Sequence, residues 1–66
     1  MRQNRSSQGK IFLEFHVLGT SQKVSAIDEA TGIEVSVTGP ASASREHISN
    51  IAVQKLQRKI EKSGSH

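Results

Sequence analysis

The chain has 66 residues, of which 33% are hydrophobic, 3% aromatic and 23% charged, and it contains no Cys, Trp or Tyr. A chain of this length forms one small domain with a thin core, and without Cys it holds neither a disulfide nor a thiolate zinc site. No apolar run approaches the roughly 18 residues of a membrane span and residues 1–8 are too polar for a secretory signal, so we expect a cytoplasmic protein with no membrane partner.

The charge is unevenly distributed along the chain. The net charge of +3 is the sum of +3 over residues 1–10, −3 over residues 11–44 and +3 over residues 45–66. Residues 1–9 are polar and basic, which predicts a disordered tail, and residues 63–66 are expected to fray. A single domain is therefore predicted over residues 10–62, with basic ends that can attract phosphate or an acidic surface.

The first predicted strand spans residues 11–18, where apolar residues alternate. Its core face is expected to carry Ile11, Leu13, Phe15 and Val17. The turn predicted at residues 19–22 leads to a second strand over residues 23–27.

The third predicted strand spans residues 33–38, with Ile33, Val35 and Val37 facing inward. Residues 28–32 precede it and are typical of a tight hairpin connection. Gly32 there can adopt the positive φ that a bulged hairpin requires. The following Gly-Pro pair, residues 39–40, is expected to stop the strand, since proline has no amide for the ladder.

A helix is predicted from Ser42 or Ser44, either of which can cap it, to Lys62. Its length of about 30 Å should carry it across the whole sheet. The fold class is therefore α+β: a three-stranded antiparallel meander followed by one C-terminal helix on one face. The apolar positions of the helix are Ile48, Ile51, Ala52, Leu56 and Ile60, with Val53 at one margin.

The second face of the predicted sheet carries a candidate protein-interaction face, Phe12, Leu18 and Ile27, among polar residues. An antiparallel sheet can leave such a face in water. Burying a side chain like Phe12 contributes roughly 1.5–3 kcal/mol, a large share of the stability of a small domain. Two readings stay open here: a homodimer formed through this face or a sheet edge, and a monomer with a half-wetted sheet.

The residues that a catalytic or metal site requires form no recognisable pattern. Glu14 and His16 share a strand face but supply only two of the three or four ligands that zinc needs, and His47 and His66 lie far away in sequence. No serine lies in a Gly-x-Ser-x-Gly elbow. We therefore expect no enzymatic activity, no cofactor, no metal and no small-molecule substrate.

Two sets of polar residues are candidate binding sites. Ser42, Ser44 and Arg45 lie where a helix begins and form a candidate anion site, although strand termination and helix capping explain the same residues without a ligand. A second set lies along one side of the helix and forms a candidate stripe for nucleic acid or an acidic partner: Lys55, Arg58, Lys59 and Lys62. The alternative is a solvated face that keeps the protein soluble.

The stretch of residues 24–43, with its Gly-Pro-Ala-Ser sequence, resembles a family of short uncharacterised proteobacterial proteins. The resemblance extends to the Phe-rich first strand at residues 12–15 and the Lys55-Leu56 pair in the helix. It implies a module of unknown function and transfers no catalytic residue. We therefore expect a small non-enzymatic, self-associating protein-interaction module, with weak sequence-nonspecific nucleic-acid binding through the stripe and Arg2 and Arg5 as the alternative.

Overall fold

The computed structural model describes residues 10–64, so the predictions for the tail at residues 1–9 and for residues 65–66 lie outside the described part. Three strands are followed by one helix. The strands form one antiparallel sheet in the order β1-β2-β3. The predicted α+β meander with a C-terminal helix is confirmed. The elements are β1 Ile11–Leu18, β2 Ser21–Asp28, β3 Glu34–Pro40 and α1 Arg45–Gly64.

The strand register sorts the side chains onto two faces as the alternation predicts. Phe15 pairs with Val24, and Val24 pairs with Val37, so these three side chains share the face that the helix covers. We call this the helix face and the other the open face. Phe12 and Ile27 pair on the open face.

The first turn is tighter than the sequence predicts, because β2 begins at Ser21 and leaves only Gly19 and Thr20 between the strands. Gly19 has φ +61°. A glycine with positive φ at the first of two loop positions is typical of a type II′ hairpin, whose twist matches that of the strands.

The second turn is held by a buried carboxylate. Asp28 is only 5% exposed. Its Oδ2 accepts hydrogen bonds from the backbone N–H of Thr31 at 3.0 Å and from the Thr31 hydroxyl at 2.7 Å. Gly32 has φ +75°, so the positive φ predicted for this glycine is confirmed.

The connection from β3 to α1 differs from the prediction, because the strand includes the Gly-Pro pair that was expected to stop it. Gly39 has a packing role there: a Cβ at this position would lie 2.9 Å from Cδ1 of Ile48, so the bare backbone makes room for the first turn of the helix. Of the two predicted caps, Ser44 is the one used, its Oγ accepting the His47 N–H at 3.1 Å. The helix continues past Lys62 to Gly64.

A buried glutamine, which the sequence predicts to lie in a turn, fixes the connection between β3 and α1 to the sheet. Gln22 is 4% exposed. Its Nε2 donates to the carbonyl of Pro40 at 3.0 Å and to that of Ala43 at 2.8 Å. The side chain thereby satisfies one carbonyl at the end of β3 and one in the segment that leads to the helix.

The core lies between the helix and only two of the three strands. Ile60 packs against it as a half-buried residue, Val53 is half-buried without being part of it, and Ile51, predicted to be buried, is 38% exposed. The extensive contacts of α1 are with β2 and β3. The buried apolar side chains are Val24, Ala26, Val35, Ile48, Ala52 and Leu56.

Strand β1 remains uncovered, so the prediction that the helix spans the sheet with Phe15 in the core is wrong. Phe15 is 36% exposed, and Leu13 beside it is 37% exposed. The reason is geometric: a helix about 10 Å in diameter covers about two strands spaced 4.8 Å apart. Ala26 and Ala52 are both fully buried, and their small side chains let the helix approach β2 and β3 closely.

We predict that truncating the central core residue destabilises the fold far more than truncating its exposed neighbour on the helix. Leu56→Ala should lower the free energy of unfolding by about 2–5 kcal/mol, because Leu56 is fully buried. Ile51→Ala is the matched control and should cost less than about 1 kcal/mol. Urea unfolding followed by far-ultraviolet circular dichroism measures both, and equal losses would contradict the packing described here.

Candidate interaction surfaces

Strand β1 presents the largest set of exposed apolar side chains in the described part of the chain. All eight of its residues are exposed. Phe12 is 50% exposed, Val17 57% and Leu18 76%. A soluble protein rarely displays so many large apolar groups together unless they meet a partner. The large hydrophobic residues exposed on this strand are Ile11, Phe12, Leu13, Phe15, Val17 and Leu18.

Strand β1 is also an edge strand, and its residues alternate between those whose backbone groups bond to β2 and those whose backbone groups face outward. The N–H of Glu29 donates to the carbonyl of Lys10 at 2.9 Å. In an antiparallel pair, successive residues direct their backbone groups to opposite sides. The even-numbered residues of β1 therefore bond to β2, and Leu13, Phe15 and Val17 direct their N–H and C=O groups outward. We call this outer side of β1 the free edge.

The opposite edge of the sheet, along β3, is partly blocked. Asp28 donates its N–H to the carbonyl of Ile33, so the even-numbered residues of β3 are those that face outward. The outward carbonyl of Ser36 accepts a hydrogen bond from Nζ of Lys55 at 3.0 Å. Pro40, at the end of the strand, has no N–H to offer. Lysine and proline are the residues with which proteins blunt a sheet edge, and β1 contains neither.

The candidate interaction face of Phe12, Leu18 and Ile27 is on the open face but is not one continuous patch. Phe12 lies directly opposite Ile27. Leu18 lies at the other end of β1, six residues from Phe12 and thus about 20 Å away. Glu14 and His16 separate the two apolar groups within one chain.

The polar residues of the open face form a pattern of their own. His16 pairs with Lys23 and Glu14 with Ser25. The Ser25 hydroxyl lies 3.0 Å from that of Ser36 on β3. Within residues 10–64, no three His, Asp or Glu side chains come close enough together to hold a metal ion.

The basic stripe on the helix lies beside β3 and away from β1. Its four cations line an open groove of about 470 Å³, whose other wall is formed by Glu34, Val35 and Ser36. Glu34 offsets one of the positive charges, and Lys55 already contacts the Ser36 carbonyl. The groove is therefore basic and shallow. The residues of the stripe are Lys55, Arg58, Lys59 and Lys62.

The candidate anion site has roles within the fold. The Ser44 hydroxyl caps the helix, and the guanidinium carbon of Arg45 lies 4.9 Å from the centroid of the Phe15 ring. That distance is a cation–π contact, which connects the start of the helix to β1. Ser42 is exposed in the connecting segment.

Comparisons with known proteins place this arrangement in a family. No helix within residues 10–64 is long and apolar enough to cross a membrane. No curated protein and no solved structure matches the chain. A family model described as a domain of unknown function, DUF6898, matches residues 8–63 and so includes every strand and the helix down to Ser63. The chain therefore belongs to the DUF6898 family of domains of unknown function.

Proposed function

We propose that the protein is a small non-enzymatic interaction module that binds a protein partner through strand β1. The observation that carries the proposal is the exposure of all eight residues of an edge strand whose apolar side chains the helix leaves uncovered. An extended segment added at such an edge completes the backbone hydrogen bonds, and alternate side chains supply specificity. The free edge supplies the backbone groups for such pairing, and the exposed apolar residues of β1 supply the side-chain contacts.

The polar residues support the non-enzymatic part of this proposal. His16 is exposed on the open face, whereas His47 is exposed in the first turn of a helix on the other face. The buried carboxylate of Asp28 holds a turn through Thr31. Within residues 10–64 the two histidines thus lie on different elements and the buried carboxylate is engaged in structure.

The test is site-specific photocrosslinking in cells that produce the full chain. A benzoylphenylalanine placed at Phe12 or at Leu18 should give protein adducts, because both side chains project from β1 into solvent. The same group at Gln54, exposed on the outer side of the helix, is the matched control and should give few or none. When lysates of these cells are adjusted to 50 or 200 mM salt before irradiation, the adduct yield should be the same, since apolar contacts are not screened.

Two results would contradict this proposal. One is crosslinking at Gln54 that equals crosslinking at the two β1 positions. The other is the absence of adducts at both β1 positions while the variants remain folded by circular dichroism. The adducts are identified by mass, so a second copy of the chain and a different protein are distinguished in the same experiment.

A second candidate function, weak sequence-nonspecific nucleic-acid binding, is favoured by the convergence of four cations on one groove. Since Lys55 is engaged with the Ser36 carbonyl, contacts to up to three phosphates would give a slope of about −2.7 in log K against log salt on duplex DNA, or about a fortyfold loss between 50 and 200 mM. The groove has no aromatic lining, so base stacking would not contribute.

Fluorescence anisotropy with a labelled DNA duplex tests this alternative. Arg58→Glu with Lys59→Glu should reduce the salt slope by about two, because two phosphate contacts are lost. Lys55 is left intact because its ammonium group holds the Ser36 carbonyl. Lys23→Glu, on the open face, is the net-charge control for Arg58→Glu alone, since each changes the charge by −2. Equal weakening by this control would show that general charge, and not the groove, is responsible.

A further inference from the structure

We infer that the partner of strand β1 is β1 of a second copy, paired antiparallel about a two-fold axis at Phe15. This inference rests on the proposed function, since it specifies what occupies the free edge. An isologous contact of this kind needs a surface that is complementary to itself. The residues of β1 meet this requirement in some pairing registers and not in others.

The symmetry limits the registers that are available. A two-fold axis perpendicular to the sheet keeps both helices on the same side, so helix-face residues pair with helix-face residues. Only the registers centred on Glu14 and on Phe15 overlap seven residues of the eight-residue strand. Both satisfy the outward backbone groups of Leu13, Phe15 and Val17, which form hydrogen-bonded pairs across the axis.

Charge separates these two registers. With the centre at Glu14, that carboxylate lies directly opposite its own copy, and like charges in this position are destabilising. With the centre at Phe15, Glu14 lies opposite His16 of the second copy, and the same contact occurs again on the other side of the axis. These are non-hydrogen-bonded pairs, in which Cα atoms are about 4.5 Å apart and side chains are closest.

The apolar residues agree with the register centred on Phe15. Phe12 then lies opposite Leu18 of the second copy, so the two apolar groups that are about 20 Å apart within one chain meet across the interface. Ile27, which pairs with Phe12, extends this patch. On the helix face, Leu13 lies opposite Val17 and Phe15 opposite itself. Each apolar residue from 12 to 18 thus faces another apolar residue.

The other edge of the sheet does not offer an equivalent contact. The Lys55 ammonium group occupies the outward carbonyl of Ser36, and Pro40 lacks an N–H. Two copies joined at β1 therefore form a six-stranded sheet that exposes only the blunted edges. In the single chain Arg45 is exposed beside the Phe15 ring.

A charge exchange tests both the partner and the register. His16→Glu should weaken the dimer about tenfold, because it creates two like-charge contacts with Glu14 across the axis. Glu14→Lys alone should have a smaller effect, since histidine carries no formal charge at pH 7. The double variant places lysine opposite glutamate at both contacts and should bind at least as tightly as the wild type. In a register centred on residue 14 or 16 the double variant keeps a like-charge pair, so no recovery would occur.

The measurement is sedimentation equilibrium of the full chain with interference optics, because the protein has no Trp or Tyr. The wild type should reach twice the 7.2 kDa of one chain, about 14 kDa, across a dilution series. Glu34→Lys, an exposed carboxylate of β3 on the same open face, is the matched control and should leave the dimer intact.

Hydrogen exchange gives a second measurement that needs no variant. Amides of Leu13, Phe15 and Val17 should exchange slowly in the dimer and fast after dilution, whereas those of Glu14 and His16, which bond to β2, should be slow in both. Fast exchange of the first set at every concentration overturns the pairing, as does a wild-type mass of 7.2 kDa throughout. If adducts at β1 then contain a different protein, the proposed function stands and the second copy is rejected.

Discussion

The single helix covers only two of the three strands of the sheet, and the other properties of this small domain depend on the strand that it leaves uncovered. The helix is fixed over β2 and β3 by a core cluster that includes the fully buried Ala26 of the sheet and Ala52 of the helix, and by the space that Gly39 leaves for Ile48. A cylinder about 10 Å wide placed there has no width left for a third strand. The domain is therefore a complete two-strand core with a third strand attached by backbone hydrogen bonds and by one cation–π contact from Arg45.

The two edges of the sheet differ because the helix lies off centre. On the β3 side, the basic side of the helix reaches the edge, and Lys55 contacts an outward carbonyl. On the β1 side, no side chain of the helix takes that role among the residues described, and the strand itself has no lysine, proline or inward charge. Proteins usually protect such an edge. An unprotected edge that also carries apolar side chains on both faces is better understood as an interface than as a defect.

The sequence predicts this fold well where the chemistry is local. Alternation predicts all three strands and their faces, Gly32 marks the positive φ, and Ser44 caps the helix. The exposure of β1 could not be predicted, because alternation shows that side chains share a face but not whether another element covers it. Ile51 was misassigned for the same reason, since it lies on the side of the helix that extends beyond the sheet. Gln22 was missed because a polar residue near a turn gives no signal of the carbonyls it will meet.

The contact between Lys55 and the Ser36 carbonyl has a consequence for how far assembly can proceed. A sheet with two unblocked edges can add copies without end, as filaments do. A sheet with one unblocked edge has no further site for a copy after a single pairing. In the proposed pairing the Lys55 ammonium group would thus prevent further addition at β3, so the asymmetry of the sheet would limit the assembly to two copies. The proposed pairing would therefore let the chain expose an apolar strand and still form a closed, finite particle.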